Sequence, residues 1–275
     1  MTYLLSEEGR LALRALTSRP ILYAFDFDGT LARISQDRDT VTLSQSIYEG
    51  LSELAQHIPC AIVSGRALND LVSRVDGVVP YLIGNHGLEG PLTAPAMLIR
   101  AEHICQGWMQ RLETDFIQPL NQHGAEIENK RYTLTLHYRG TDEPDRVRMA
   151  LVLLLNKLVP TPRLIFGKAS VNVLPSGEGG KGQAVLALMH HLRQTWLFFI
   201  GDDETDEDVF RLSEGLAMGV RVGRHSESLA QYYVKDQGEI EDVIRTLLHR
   251  LDRTPDSLDA DNRDTRDRKK AVHEP

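Results

Sequence analysis

The chain has 275 residues, 41% of them hydrophobic and 25% charged, enough apolar material for one large folded unit or two modest ones. Its formal net charge of −8 argues against a phosphodiester partner, so no nucleic acid is expected, while a small phosphorylated ligand in a locally positive pocket stays open. No apolar run approaches the roughly 18 residues of a bilayer-spanning helix, and the opening MTYLLSEEGR lacks a basic start followed by an apolar run, so the expectation is a monomer in the cytoplasm with Cys60 and Cys105 as buried thiols.

In chain order, the apolar spacing at 6–16 predicts a helix. Ile21 to Phe25 reads as a strand buried on both faces, with Asp26 to Thr30 as the loop leaving it. A helix is predicted at 44–57, a strand and polar turn at 59–66, a helix at 67–75 and a strand with a Gly-rich exit at 81–87. This βαβαβ rhythm predicts an α/β fold with a doubly wound, Rossmann-like parallel sheet, whose ligands bind beyond the carboxyl ends of the strands. Those ends carry Asp26 and Asp28, Ser64 and Arg66, and Asn85 and His86.

The rhythm then changes to one long helix at 96–119, strands at 125–130 and 131–139, a helix at 145–158, and strands at 163–166 and 169–174. Such an αββαββ block predicts a second sheet with helices on one face. After a return at 175–180 the first rhythm resumes with a helix at 181–193, a strand at 196–203, a helix at 207–213 and a short strand at 216–222. The expected organisation is a core of 1–93 and 177–252, an inserted α/β cap of 94–176, and a charge-dense disordered tail at 253–275.

Two acidic strand exits carry the chemistry. In Asp26-Phe27-Asp28-Gly29-Thr30, side chains two residues apart on an extended chain point the same way, so two carboxylates face one spot. Gly201 to Asp208 holds six more carboxylates after the apolar run Trp196 to Ile200. Carboxylates gathered in one cleft call for a counter-charge, and a hard divalent cation such as Mg²⁺ is the usual one. Alone, Asp-x-Asp-Gly is a turn or a calcium loop, but the calcium loop needs Glu at its twelfth position, where Asp37 stands. Ser64 fits either a helix cap or a phosphate ligand, and Lys181, opening a helix after Gly179-Gly180, fits a phosphate or carboxylate partner.

Asp-Phe-Asp-Gly-Thr-Leu, Ser64, Lys181 and Gly-Asp-Asp-x-Thr-Asp, in that order, resemble the four motifs of haloacid dehalogenase superfamily phosphatases. Ser64-Gly65-Arg66, Asn85-His86-Gly87, Glu128-Asn129-Lys130, His137-Tyr138-Arg139, Pro175 with Lys181-Gly182, and Gly201 to Asp208 resemble the trehalose-6-phosphate phosphatase family. The resemblance implies that Asp26 is a nucleophile toward phosphorus and that Asp28 is the acid and base. It implies that Asp26, the Asp28 carbonyl and Asp202 hold Mg²⁺, with Asp203 and Asp206 supporting the metal or Lys181 from behind. Ser64 and Lys181 would serve the phosphoryl group. Thr30, Arg66, Asn85, His86, Glu128, Lys130, Arg139 and Lys168 would contact a phosphosugar, the cap closing over it. Asn172 and Gly180 depart from the family pattern, which has Glu and Asn or Ser there, and leave the sugar open. Two other readings remain: a phosphatase for another glycosyl phosphate, and a non-catalytic phosphosugar sensor, which would have lost Asp26, Asp28 or Lys181. A phosphosugar mutase would need a helical cap between Leu31 and Ser64, where the chain is too short.

Overall fold

The computed structural model describes residues 1–251 other than 17, 18, 36, 168, 178 and 214, so Lys168 and the expected tail at 253–275 lie outside the described residues. The strands are β1 (Thr2–Tyr3), β2 (Ile21–Phe25), β3 (Cys60–Val63), β4 (Tyr81–Ile83), β5 (Glu126–Asn129), β6 (Leu134–His137), β7 (Arg163–Gly167), β8 (Ser170–Leu174), β9 (Trp196–Gly201), β10 (Ala217–Val222) and β11 (Tyr232–Val234). The helices are α1 (Glu7–Leu16), α2 (Gln45–His57), α3 (Leu68–Val75), α4 (Pro95–Thr114), α5 (Ile117–Gln122), α6 (Pro144–Leu155), α7 (Lys181–His191), α8 (Glu207–Phe210) and α9 (Ile240–Leu251).

Seven strands form an all-parallel sheet in the order β1-β11-β10-β9-β2-β3-β4. Central β2 is buried along its whole length, as its unbroken apolar run requires. Alternate side chains serve opposite layers. Ile21, Tyr23 and Phe25 pack with Leu13, Ile47, Leu51 and Ile244, while Leu22 and Ala24 pack with Val185, Leu188 and Phe210. The chain turns from β2 to β3 on one side and pairs with β9 on the other, so the topological switch point lies at the carboxyl end of β2, where Asp26 stands.

Between β4 and β9 a second, antiparallel sheet runs β5-β6-β8-β7. Leu134, Leu136, Val171 and Val173 bury one face against Trp108 and Leu112 of α4 and Leu151 and Leu155 of α6. The same period of two sends Thr135, His137, Ser170 and Asn172 to the other face, into a cleft shared with the core. We refer to this block, which overhangs the cleft, as the cap.

Two departures from expectation have local causes. The single helix expected at 96–119 is two, because Pro119 has no N–H to give and its ring would strike the carbonyl of Asp115, so the helix stops at Thr114 and restarts at Ile117. The strands β1 and β11 and helix α9 were not expected; β1 and β11 span two and three residues, too few to show a period.

Candidate active site

Asp26 closes β2 with one more sheet bond, its N–H donating to Ile200 O at 2.9 Å, which fixes the carboxylate beside the end of β9. The chain then turns back: Gly29 N–H donates to Ala32 O at 2.8 Å and Ala32 N–H to Phe27 O at 2.9 Å. Gly29 has φ +85°, and a Cβ there would lie 2.3 Å from Asp202 Oδ2, so glycine is required both by the backbone and by the approach of the second acidic loop. Asp202 follows β9 and packs against that turn, with Thr30 Oγ1 3.5 Å from its Oδ1.

Lys181, the first residue of α7, reaches across the sheet's end. Its Nζ donates to Asp26 Oδ1 at 2.6 Å and to Asp206 Oδ1 at 2.7 Å, and all three residues are buried. The other Asp206 oxygen accepts from Asp203 N–H at 3.0 Å, which closes a capping box on the turn after Asp203. Gly201 permits this: a Cβ there would fall 2.3 Å from Asp206 Oδ2. Burial opposes charge on Lys181, but Asp206 and Asp26 outweigh it and hold the ammonium above its ordinary pKa. Burial pushes the Asp26 carboxyl well above the usual range; Lys181 opposes the shift, and Asp206 and Asp202 add to it.

Asp26, Asp202 and Asp206 each place a carboxylate oxygen within 4.8 Å of the others. All three residues are buried, so their oxygens form a compact acidic donor set. An oxygen-ligated divalent cation fits such a donor set.

Asp28 lies one step further out, clamped by Arg66: Nε to Oδ2 at 2.7 Å and Nη2 to Oδ1 at 2.6 Å. The same guanidinium bonds Asp70 and the Arg38 carbonyl. Ser64 ends β3 with its Oγ accepting from Arg66 N–H at 3.1 Å. His86 sits at φ +56°, 4% exposed, on the flat face that Gly65 leaves, where a Cβ would meet its Cε1 at 2.5 Å. Among the described residues neither of its ring nitrogens has a hydrogen-bond partner of normal geometry. Burial, then Lys130 and Lys181, hold its pKa well below the ordinary value, so the ring is neutral.

These groups floor a cavity of about 400 Å³ whose roof is the cap: Glu128, Lys130, Thr135, His137, Arg139, Ser170 and Asn172. Lys130 Nζ donates to Gly65 O at 3.0 Å, joining roof to floor. Asn172 Oδ1 accepts from Thr135 Oγ1 at 2.8 Å. Burial disfavours charge on Glu128, but His137, Lys130 and Arg38 outweigh it and hold the carboxyl below its usual range.

Residues 24–237 match the profile described as trehalose-phosphatase. The chain belongs to the trehalose-phosphatase family. A trehalose 6-phosphate phosphatase of Zea mays is 27% identical over 268 residues, spanning 86% of this chain and 72% of that protein. The C-terminal domain of the C. albicans trehalose-6-phosphate phosphatase superposes with a TM-score of 0.70 at 22% identity, covering 90% of this chain and 99% of that one. The C-terminal domain of the Candida albicans trehalose synthase regulatory protein reaches a TM-score of 0.62 at 13% identity, covering 87% and 97%. The two structural likenesses show the fold, which is common to a phosphatase and a regulatory protein.

Against the residues expected from the sequence, the cavity gathers Asp26, Asp28, Ser64, Arg66, His86, Glu128, Lys130, Arg139, Lys181, Asp202 and Asp203. Two expected substrate contacts stand elsewhere. The Thr30 hydroxyl faces Asp202, outside the cavity lining, because the tight turn at Gly29 folds it under the second acidic loop. Asn85 donates to the Lys130 carbonyl at 3.2 Å and accepts from Thr133 Oγ1 at 2.6 Å, so its amide joins core to cap. Asn172, the position that departs from the family pattern, also lines the cavity, and so does Arg38, which was not among the expected site residues. Arg38 sits in a polar loop that reads as an ordinary turn, whereas the alternation in Val171-Asn172-Val173 marks Asn172 as facing away from the cap's core. The departure at Gly180 has a packing reason: a Cβ there would fall 3.0 Å from Arg163 Nη1 and 3.1 Å from Asp208 Oδ2, which form an ion pair between cap strand β7 and core helix α8.

Proposed function

We propose that this protein is a Mg²⁺-dependent phosphatase that hydrolyses trehalose 6-phosphate to trehalose and phosphate as a cytoplasmic monomer. The observation that carries the reading is Lys181 bonded to both Asp26 and Asp206 in an acidic, buried floor beneath a polar cap. Asp26, nearly buried and fixed by the sheet, is the nucleophile. Its free oxygen forms a bond to phosphorus as the bond from phosphorus to the sugar oxygen breaks. Asp28 supplies the proton that the departing oxygen takes up, and then receives one from the water that cleaves the aspartyl-phosphate. Arg66 aims Asp28 for both steps through its two-pronged bond. Lys181 offsets charge on Asp26 and on the phosphoryl oxygens. Asp26, the Asp28 carbonyl and Asp202 are the residues that would hold Mg²⁺, which when bound neutralises phosphoryl charge.

The cap would hold the sugar's hydroxyls through Glu128, Lys130, Arg139 and the neutral His86, and closure over the cleft would exclude bulk water. Asn172, an uncharged amide where the family pattern has Glu, supports a second reading of the same chemistry on another glycosyl phosphate, of the sucrose or glucosylglycerol type. The sensor reading fares worse, since Asp26, Asp28 and Lys181 are all present and two of them are joined.

Phosphate release from trehalose 6-phosphate with Mg²⁺, absent in Asp26→Asn and well above release from glucose 6-phosphate and sucrose 6-phosphate, is the expected result. Turnover of an aryl phosphate without turnover of trehalose 6-phosphate would keep the chemistry and reject the sugar. No turnover of any phosphate ester would favour the sensor.

A further inference from the structure

The cap is not the only part of the molecule that reaches the far wall of the cavity. Arg38, in a short turn of the core capped by Asp37, extends its side chain to the cap, where Nη1 donates to Glu128 Oε2 at 2.8 Å and touches His137 Nε2. His137 Nε2 in turn lies 2.8 Å from the same Glu128 oxygen. The base of Arg38 is anchored: its carbonyl accepts from Arg66 Nη1 at 3.3 Å and Nη2 at 3.2 Å, the guanidinium that also grips Asp28. Arg38 therefore holds a defined position relative to the reacting carboxylates, whatever the sugar.

On the outer side of this bridge lies a second cavity of about 340 Å³, between the Asp37–Asp39 turn and the start of β5. It is lined by Gly124, Glu126 and Ile127, and it shares Arg38, Glu128, His137 and Arg139 with the inner one. The Arg38–Glu128–His137 cluster, with Asp39 and Arg139, thus lines both cavities and stands between them. The inner chamber, at about 400 Å³, sits near the small end of the roughly 300–1,000 Å³ typical of ligand pockets.

We propose that Arg38 is a specificity-determining residue that sets the upper size limit of the group esterified to phosphate. It does so by closing the inner chamber with a core-to-cap bridge. The inference rests on the glycosyl-phosphatase reading of the inner site but not on trehalose as the sugar. A glycosyl group that fits within the inner chamber meets hydroxyl partners on the near side of the bridge. A longer saccharide must either break a partly buried ion cluster or leave its last unit unaccommodated. Shortening Arg38 joins the chambers and removes that obstacle. Glu128 keeps its contact with His137 and its ion pair with Lys130, so the cap retains two of its partners.

The test compares wild type, Arg38→Ala and Arg38→Lys on p-nitrophenyl phosphate and on mono-, di- and trisaccharide 6-phosphates, reading kcat/KM for each. Arg38→Ala is expected to raise the trisaccharide-to-disaccharide ratio of kcat/KM by about tenfold or more, the scale on which added or relieved bulk in a pocket discriminates substrates. Arg38→Lys, which retains a cation on a long stem, is expected to keep the wild-type ratio within about threefold. A uniform fall on every substrate, with the ratio unchanged, would overturn the proposal and leave Arg38 a structural tie. Thermal melting of each variant separates misfolding from altered selectivity. If the wild type ignores trehalose 6-phosphate but cleaves other glycosyl phosphates, the function proposed above fails while the length ratio still decides the role of Arg38.

Discussion

Replacing Lys181 with Met keeps the aliphatic stem and removes the charge, so it isolates the electrostatics of the floor. Lys181 is 2% exposed and its ammonium bonds two carboxylates at 2.6 and 2.7 Å. Deleting one partner of a buried ionic cluster leaves the others desolvated and unpaired, at a cost of about 3–5 kcal/mol. For a chain of this size that corresponds to a fall in Tm of about 6–20 °C. The pH dependence has a definite sign. The folded Lys181 has its pKa raised, so its stabilisation is complete below the ordinary value of 10.5 and is lost only above it. The folded Asp26 carboxyl is pushed up by burial, so its ionisation penalises the fold as pH rises through that elevated value, and more so without Lys181. Lys181 stays charged at both pH values, and protons taken up by its carboxylate partners at low pH relieve the unpaired charge, so the deficit of Lys181→Met is expected to be smaller when measured at about pH 4 than at about pH 7. Urea denaturation of chelator-treated protein at both pH values measures it. Added Mg²⁺ should narrow the deficit at neutral pH by binding the folded state. A deficit below about 1 kcal/mol at neutral pH, or one equal at both pH values, would refute the description of this floor as a buried ion cluster held together by Lys181.

Other residues give sharper local tests. Gly29→Ala places a methyl 2.3 Å from Asp202 Oδ2 at φ +85°; it should cost about 1–3 kcal/mol by chemical denaturation and weaken Mg²⁺ affinity measured by calorimetry. Arg66→Ala frees Asp28 from its clamp and should lower kcat by about 100-fold, through lost orientation, with a smaller change in KM. His86 is neutral in the fold with a lowered pKa, so its contribution is complete above about pH 6.5 and declines as pH falls below it. His86→Asn, which tolerates the same left-handed backbone, should flatten the stability slope between about pH 6.5 and 5 by up to about 1.4 kcal/mol per pH unit.

Much of the site was legible because its residues sit where strand patterns end. An unbroken apolar run followed by Asp-x-Asp-Gly announces both a buried parallel strand and what its exit presents, and Asp26, Ser64 and Asp202 follow from three such exits. The alternation in Leu134 to His137 and Ser170 to Leu174 likewise carried which cap residues face its core, since a period of two leaves no other choice. Lys181 was the weaker inference: a lysine after two glycines is common on surfaces, and only its ordered place among the other motifs singled it out.

What the local sequence could not carry is whatever depends on pairs far apart in the chain. The order of strands in the sheet decides that the end of β2 lies between those of β3 and β9, and hence that Lys181 meets Asp26 across 155 positions and not solvent. The same holds for Thr30 and Asn85, polar residues next to the right motifs whose partners turned out to be Asp202 and the cap backbone. Arg38 is the extreme case, a turn residue in sequence that becomes a wall of the cleft because the cap folds over it and brings Glu128 within 2.8 Å. Periodicity and turn chemistry act over a few residues and so determine elements and their exits. The pairing of charges across the cleft is settled by burial, which makes each unpaired ion costly and so selects the tertiary arrangement that pairs them.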